Sequence, residues 1–130
     1  MEPFHLAIPT HSVADAKDFY HGVLGATIGR EYEHYVIFDF FGHQLVSHLD
    51  PEKVDKEVQM YPRHFGIIFK SKEDLEKMYQ RCKVHKAPFF EELFERYQHK
   101  HGWHFSFFVI DPSNNLVEFK YYVNPEDVLG

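Results

Sequence analysis

The sequence carries one order of secondary-structure elements twice, and this repeat restricts the possible folds more than any other feature. Hydrophobic periodicity predicts a strand, a helix and three further strands in residues 4–49, and the same order again in residues 64–123. A single βαβββ unit leaves one apolar sheet face uncovered. Two such units can cover that face by closing on each other around a shared concave surface.

The repeat has a constant offset. His5 and His64 are 59 residues apart, and Tyr20 and Tyr79, each near the middle of its predicted helix, have the same separation. Two matches at one offset, inside the same order of elements, indicate an internal duplication. We therefore predict the α+β class, with two βαβββ modules that form a curved mixed sheet around a cup.

The length of 130 residues fits one domain, which can bury enough surface to fold without a disulfide or a structural metal. A charged stretch with two prolines, Asp50 to Pro62, separates the two runs of elements. We predict a single domain with module one at residues 1–50, a linker at 51–62, module two at 63–123 and a tail at 124–130.

Composition excludes several classes of partner. Acidic residues outnumber basic ones 20 to 14, which disfavours nucleic acid because binding a phosphate backbone needs a basic face. No apolar run approaches the roughly 20 residues of a membrane span, and the sequence after Met1 has no signal-peptide pattern. The single cysteine, Cys82, fits a reducing compartment, so we expect a cytoplasmic protein that binds neither nucleic acid nor membrane.

Histidine is the unusual component, with 11 residues. Alternate side chains of a strand point to opposite faces, so His5 shares a face with Ala7, and His64 shares a face with Gly66. The small neighbour leaves room in front of each imidazole. If a pseudo-twofold axis relates the repeats, the two histidines face the same cup.

Glu118 lies in an otherwise apolar strand, where a lone carboxylate is costly to bury. Together with His5 and His64 it makes a facial triad of two imidazoles and one carboxylate. This arrangement suits Fe(II) and is also usable by Mn²⁺, Zn²⁺ or Ni²⁺. The alternative is two core histidines and a Glu118–Lys120 pair. We expect a divalent metal in the cup, with Fe(II) favoured.

Four segments of the sequence carry a family resemblance. They are Phe4-His-Leu-Ala7, Asp18-Phe-Tyr-His-Gly-Val-Leu-Gly25, Arg63-His-Phe-Gly66 and Phe107-Phe-Val-Ile-Asp-Pro-Ser-Asn-Asn-Leu-Val-Glu-Phe-Lys120. Together they resemble the vicinal oxygen chelate superfamily, which includes glyoxalase I, type I extradiol dioxygenases, fosfomycin-modifying transferases and bleomycin-resistance proteins. The resemblance covers nearly the whole chain and is closest to single-domain predicted dioxygenases. It implies a metal on His5, His64 and Glu118.

The resemblance also separates the branches of the superfamily. Glyoxalase I-like enzymes place a fourth ligand, usually a carboxylate, at the position that Val46 holds here. Fosfomycin transferases have threonine where this chain has Ala7. Bleomycin-binding members lack the metal triad. The extradiol dioxygenases therefore fit best.

In the dioxygenase branch, His48 matches a histidine of the second sphere, and His99 or His101 matches a further histidine. Phe108 replaces the branch's tyrosine, which removes a hydrogen-bond donor near the substrate. Asn114 replaces a glycine, and asparagine tolerates the left-handed turn conformation.

Two roles stay open for these histidines. His48 is either a proton shuttle or a solvated residue at a strand end. His99, His101 and His104 form either a pocket rim or a polar hairpin. We take His48 and His99 as the catalytic candidates. The acidic run Glu91-Glu92…Glu95 is interpreted as a solvated strand face.

The predicted function is a non-haem Fe(II) extradiol-type dioxygenase that acts on a small substrate with vicinal oxygens and uses O₂. The alternatives are a metal-dependent lyase, isomerase or thiol transferase, or a metal-free binding protein. We expect a homodimer, because two four-stranded sheets leave edges that need covering.

Overall fold

The computed structural model describes residues 2–130; Met1, the first residue of predicted module one, lies outside the described residues. Short 3₁₀ turns lie at Pro51–Lys53 and Pro125–Val128. The strands and α-helices are β1 (His5–Thr10), α1 (Val13–Lys17), β2 (Thr27–Glu31), β3 (Tyr35–Phe40), β4 (His43–Leu49), β5 (Phe65–Phe69), α2 (Lys72–Val84), β6 (Phe89–Arg96), β7 (His104–Ile110) and β8 (Leu116–Tyr122).

The strands form two four-stranded mixed sheets with the same topology. The first has the order β1-β4-β3-β2 and the second the order β5-β8-β7-β6. In each sheet the first and last strands of the module pair in parallel, and the other neighbours pair antiparallel. The predicted α+β class and the doubled βαβββ order are confirmed.

The contacts divide the chain into two units. Unit 1 contains residues 1–59 and 111–115, and unit 2 contains residues 60–110 and 116–130. In the described part of the chain, no helix has the length and apolar character needed to cross a bilayer.

The first helix is irregular. Ser12 caps it by accepting the Asp15 N–H at 3.1 Å. The α-helix ends at Lys17, however, and a π-helical turn over Asp18–Val23 replaces its second half. The Leu24 N–H there bonds the carbonyl of Phe19, five residues back, at 2.9 Å. Periodicity alone does not separate a π turn from an α turn.

The second helix is regular. Ser71 caps it by accepting the Asp74 N–H at 3.1 Å, and Leu75, Met78 and Cys82 are buried. Burial raises the pKa of the Cys82 thiol to about 12, against a smaller opposing effect of Arg81. Cys82 is therefore a neutral core thiol at neutral pH, neither a nucleophile nor a metal ligand.

A turn in unit 1 joins two of the motifs that carried the family resemblance. The buried Tyr20 hydroxyl donates to Asp111 Oδ2 at 2.7 Å, and Asp111 Oδ1 accepts the N–H groups of Ser113 and Asn115. Burial, together with the charge of Asp111, holds the pKa of Tyr20 well above its usual value, so the phenol stays a donor. Asn114 has φ 62°, the left-handed conformation predicted for it.

Candidate metal centre

Unit 2 brings together two of the predicted metal ligands. His64 directly precedes β5, and Glu118 lies on β8 opposite Gly66 in the parallel ladder. His64 Nε2 is 3.2 Å from Glu118 Oε1, and Glu118 is a buried residue. The two side chains thus share one face of the second sheet.

The backbone fixes the tautomer of His64. Its Nδ1 is 2.8 Å from the carbonyl oxygen of Met60, which can only accept a hydrogen bond, so Nδ1 carries a proton. In the neutral ring, Nε2 then carries a lone pair, and this nitrogen faces the Glu118 carboxylate. Metal-binding histidines commonly hold their other nitrogen in this way.

The second oxygen of Glu118 is held separately. Oε2 accepts a hydrogen bond from the Ser106 hydroxyl and lies 3.6 Å from Lys120 Nζ. The Glu118–Lys120 pair considered from the sequence therefore exists, and it coexists with the His64 contact. Because Oε2 is occupied, Oε1 is the oxygen that a cation would bind.

These atoms fit a metal ion. Adjacent ligands that are each about 2.1 Å from a metal lie about 3.0–3.4 Å apart in octahedral or tetrahedral geometry. The 3.2 Å between His64 Nε2 and Glu118 Oε1 falls in this range. Without a cation, the same contact is an ion pair only if Nε2 also takes a proton. Within the described residues of each unit, no group of three or more His, Cys, Asp or Glu side chains is placed to hold a metal.

His5, the third predicted ligand, lies in unit 1 on β1. Its Nδ1 is 2.5 Å from Oε1 of Gln44, its neighbour in the parallel β1–β4 ladder. An amide oxygen only accepts, so His5 also carries its proton on Nδ1 and leaves Nε2 bare. The two predicted histidine ligands therefore share one tautomer.

His48 is exposed near the end of β4, with its ring 5.1 Å from that of Tyr35. It lies on the same face of the first sheet as Gln44, because the two positions are four residues apart in one strand. Its role as a proton shuttle stays a prediction.

A cavity of about 180 Å³ in unit 2 opens over the His64–Glu118 pair. It is smaller than the roughly 300 Å³ at the lower end for drug-sized ligands, so it suits a small molecule. Phe94 and Phe108 form an aromatic wall, with parallel rings 6.3 Å apart. Its polar lining residues are His64, Glu91, Arg96, His104, Glu118 and Lys120.

The histidines before and at the start of β7 have different surroundings. His104 is buried and lines the cavity. His99 is exposed, with its ring 4.6 Å from that of Trp103, and His101 Nδ1 is 3.1 Å from Asp127 Oδ1. Among the three, His104 is thus the cavity residue, and the catalytic role of His99 stays a prediction.

The acidic run on β6 is not simply a solvated face. Glu92 accepts a hydrogen bond from the Tyr79 hydroxyl at 2.9 Å, and Glu95 accepts one from Trp103 Nε1 at 2.6 Å. Glu91 lines the cavity. The sequence interpretation holds for Glu92 and Glu95, which are exposed, and is wrong for Glu91, because irregular pairing in β6 shifts which side chains face the cavity.

Sequence reasoning also missed Ser106, Phe94 and Arg96. Their shared signal is register: Ser106 is opposite Lys120 in β8, and Phe94 is opposite Ser106 in β6. Opposite residues of an antiparallel pair share a face, so these side chains would follow from Glu118 once the register was known.

Residues 3–119 match the family model described as the glyoxalase/bleomycin resistance protein/dioxygenase superfamily. The chain belongs to this superfamily. A solved glyoxalase/bleomycin resistance protein/dioxygenase from Alicyclobacillus acidocaldarius is 45% identical, with a TM-score of 0.93, over 97% of this chain and 95% of that one.

More distant structures share the superfamily fold. A lactoylglutathione lyase from Agrobacterium tumefaciens and the fosfomycin resistance protein FosX from Listeria monocytogenes each have 16% identity and a TM-score of 0.72. Both alignments cover 99% of this chain, with 96% of the lyase and 97% of FosX. At this identity they establish the fold alone. A search of curated protein sequences gives no match.

Gly66 makes the approach of β5 to β8 possible, and its replacement is a test of the site. A Cβ at this position would lie 1.6 Å from the Glu118 carbonyl oxygen, whereas a Cβ at Gly22 meets nothing within 4 Å. We expect Gly66→Ala to lower the free energy of unfolding by about 3 kcal/mol or more. Gly22→Ala is the control and should not destabilise. Denaturant unfolding measures both, and equal stabilities would contradict the close approach.

Proposed function

We propose that this chain is a metal-dependent enzyme in which His5, His64 and Glu118 bind one divalent metal ion. The observation that carries the proposal is the paired geometry in unit 2, where His64 Nε2 and Glu118 Oε1 lie 3.2 Å apart and each residue's other polar atom is already bonded. The third ligand, His5, comes from unit 1 of the same chain or of the partner in the predicted homodimer.

The tautomers of the two histidines support the same proposal. Both rings hold a proton on Nδ1, against Met60 in one case and Gln44 in the other. Metal binding then requires no change of tautomer at either residue.

A bound divalent metal would stabilise negative charge that develops on substrate oxygens, and Fe(II) would add the capacity for O₂ chemistry. The protein's own residues hold the metal-binding carboxylate in place and orient the substrate. Ser106 and Lys120 fix the Glu118 carboxylate through its Oε2. Phe94 and Phe108 exclude water from one wall of the cavity and offer apolar surface to a flat substrate.

Acid–base chemistry is assigned to the histidines. His104 donates Nδ1–H to the Gly102 carbonyl at 2.8 Å, which leaves its Nε2 able to accept a hydrogen bond or a proton. His48 and His99 stay the candidates for acid–base chemistry, and His104 offers its Nε2 to a polar group of the substrate.

The first choice of reaction is an extradiol-type dioxygenase with Fe(II), acting on a small substrate with two neighbouring oxygens. A second candidate, a non-oxidative lyase, isomerase or thiol transferase with Zn²⁺, Mn²⁺ or Ni²⁺, is favoured by one observation. The Phe108 ring lies 5.5 Å from the His64 ring, so the expected phenol donor is missing beside the metal ligands. A homodimer, a cytoplasmic location and the lack of nucleic-acid or membrane partners stay predictions.

Metal binding tests the ligand set. We expect calorimetry to give one Zn²⁺, Mn²⁺ or Ni²⁺ per chain, with the affinity reduced at least about 100-fold in His64→Ala and in His5→Ala, since each loses one of three ligands. His85→Ala is the matched control, because His85 is exposed at the end of α2. A protein that binds no metal, or a His64→Ala variant with unchanged affinity, would refute the proposed centre.

Oxygen uptake separates the two reactions. Protein loaded anaerobically with Fe(II) is mixed with a panel of catechols in aerated buffer, and His64→Ala is the blank. The dioxygenase proposal predicts O₂ consumption with at least one catechol and none in the blank. If no catechol consumes O₂ while Zn²⁺ or Ni²⁺ supports a non-oxidative conversion, the second candidate replaces the first.

A further inference from the structure

The geometry of the cavity points to an anionic substrate, and we infer that Arg96 binds its carboxylate at the end away from the metal. This inference rests on the metal centre proposed above, because it takes His64 and Glu118 as the opposite end. The substrate class is a small, flat molecule with metal-chelating oxygens at one end and an acid at the other.

The register of the second sheet divides the cavity into levels. Glu118 on β8 is opposite Phe108 on β7, which is in turn opposite Glu91 on β6. Opposite residues share a face, so this row forms the metal end of the cavity. Both of the acidic residues that line the cavity are in this row.

The far end is set by the same ladder. Tyr122 on β8 is opposite His104, and His104 is opposite Arg96. This row is four residues from the Glu118 row, about 13 Å at 3.3 Å per residue. The long Arg96 side chain can reach back over part of that length. A substrate that spans both ends is therefore larger than a bare ring.

Charge is separated along the cavity. The acids Glu91 and Glu118 are at the metal end, and Lys120 and Arg96 are one and two levels further on. Lys120 is already 3.6 Å from Glu118 Oε2. Arg96 makes no ion pair with any acidic residue in 2–130, and its guanidinium lies 5.0 Å from the Phe94 ring centre. It is a positioned cation with unused donors, which is how arginine commonly binds carboxylates.

His104 gives independent support for a polar far end. The residue is 8% exposed and lines the cavity, and its Nδ1 is bonded to the Gly102 carbonyl, so Nε2 is the ring nitrogen left to face a ligand. Its ring is surrounded by those of Phe94, Tyr97 and Tyr122. This nitrogen can accept a hydrogen bond from a hydroxyl or amide group of the substrate, so the far end is polar, and the assignment of the carboxylate rests on Arg96.

One wall of the cavity is apolar and flat. Phe108 lies in the metal-end row and Phe94 in the next row, and their rings lie at 8° to each other with centres 6.3 Å apart. Such a wall packs against a planar ring. The order along the cavity is thus chelating oxygens, flat apolar body and carboxylate.

The test uses two probes that differ only in charge: a catechol that carries a propanoate chain, and its propanamide. Both are titrated calorimetrically into Zn²⁺-loaded protein, which cannot carry out O₂ chemistry. We expect the acid to bind about tenfold more tightly than the amide. Arg96→Gln should reduce this ratio to about one without changing the affinity for the amide or for Zn²⁺.

Two further variants serve as controls. Arg96→Lys keeps the charge and should retain part of the ratio, and Arg30→Gln removes an exposed cation from unit 1 and should leave it unchanged. If Zn²⁺ binds but the wild-type protein does not distinguish acid from amide, the anionic substrate is refuted and the metal centre stands. If Zn²⁺ does not bind, the metal centre is refuted, and the ratio of acid affinity to amide affinity is measured on the metal-free protein instead. A ratio above one that is lost in Arg96→Gln then supports carboxylate binding by Arg96. A ratio of one in the wild-type protein refutes it.

Discussion

The parallel contact between β5 and β8 is the constraint on which the candidate site depends. Gly66 lies so close to Glu118 that any side chain would overlap its carbonyl oxygen. This approach places His64, two residues before Gly66, against the Glu118 carboxylate. It also makes Glu118 the centre of a buried polar group with His64, Ser106 and Lys120. A buried carboxylate is tolerated because each oxygen has a partner.

This polar group gives the cavity its direction. Glu118 and Glu91 make one end acidic, where a cation is stabilised, and the strand register carries Lys120 and Arg96 towards the other end. The proposed metal and the proposed carboxylate of the substrate therefore follow from one alternation pattern along β8 and its neighbours. The aromatic wall of Phe94 and Phe108 supplies shape and excludes water but carries no charge.

Much of the fold could be predicted from the sequence, because periodicity and caps are local. The doubled βαβββ order, the Ser71 cap and the Asn114 turn follow from neighbouring residues alone. The π turn after Lys17 could not be predicted, since the same side-chain spacing serves both helix types. Within the candidate site, the sequence predicted His5, His64 and Glu118 as one ligand set. It left open which of His99, His101 and His104 faces the cavity and missed Arg96, because both depend on the register and bulges of β6 and β7, which no local pattern encodes.

The tautomer of His64 is the most direct test of the account, because a metal ligand needs a bare Nε2 facing Glu118. Nitrogen-15 NMR of histidine-labelled protein, assigned with His64→Ala, measures both ring nitrogens before and after addition of Zn²⁺. The proposed metal centre predicts a proton on Nδ1 before and after the addition, and an Nε2 resonance that shifts when Zn²⁺ is added. An Nδ1 without a proton, or an Nε2 resonance unchanged by Zn²⁺, would contradict it.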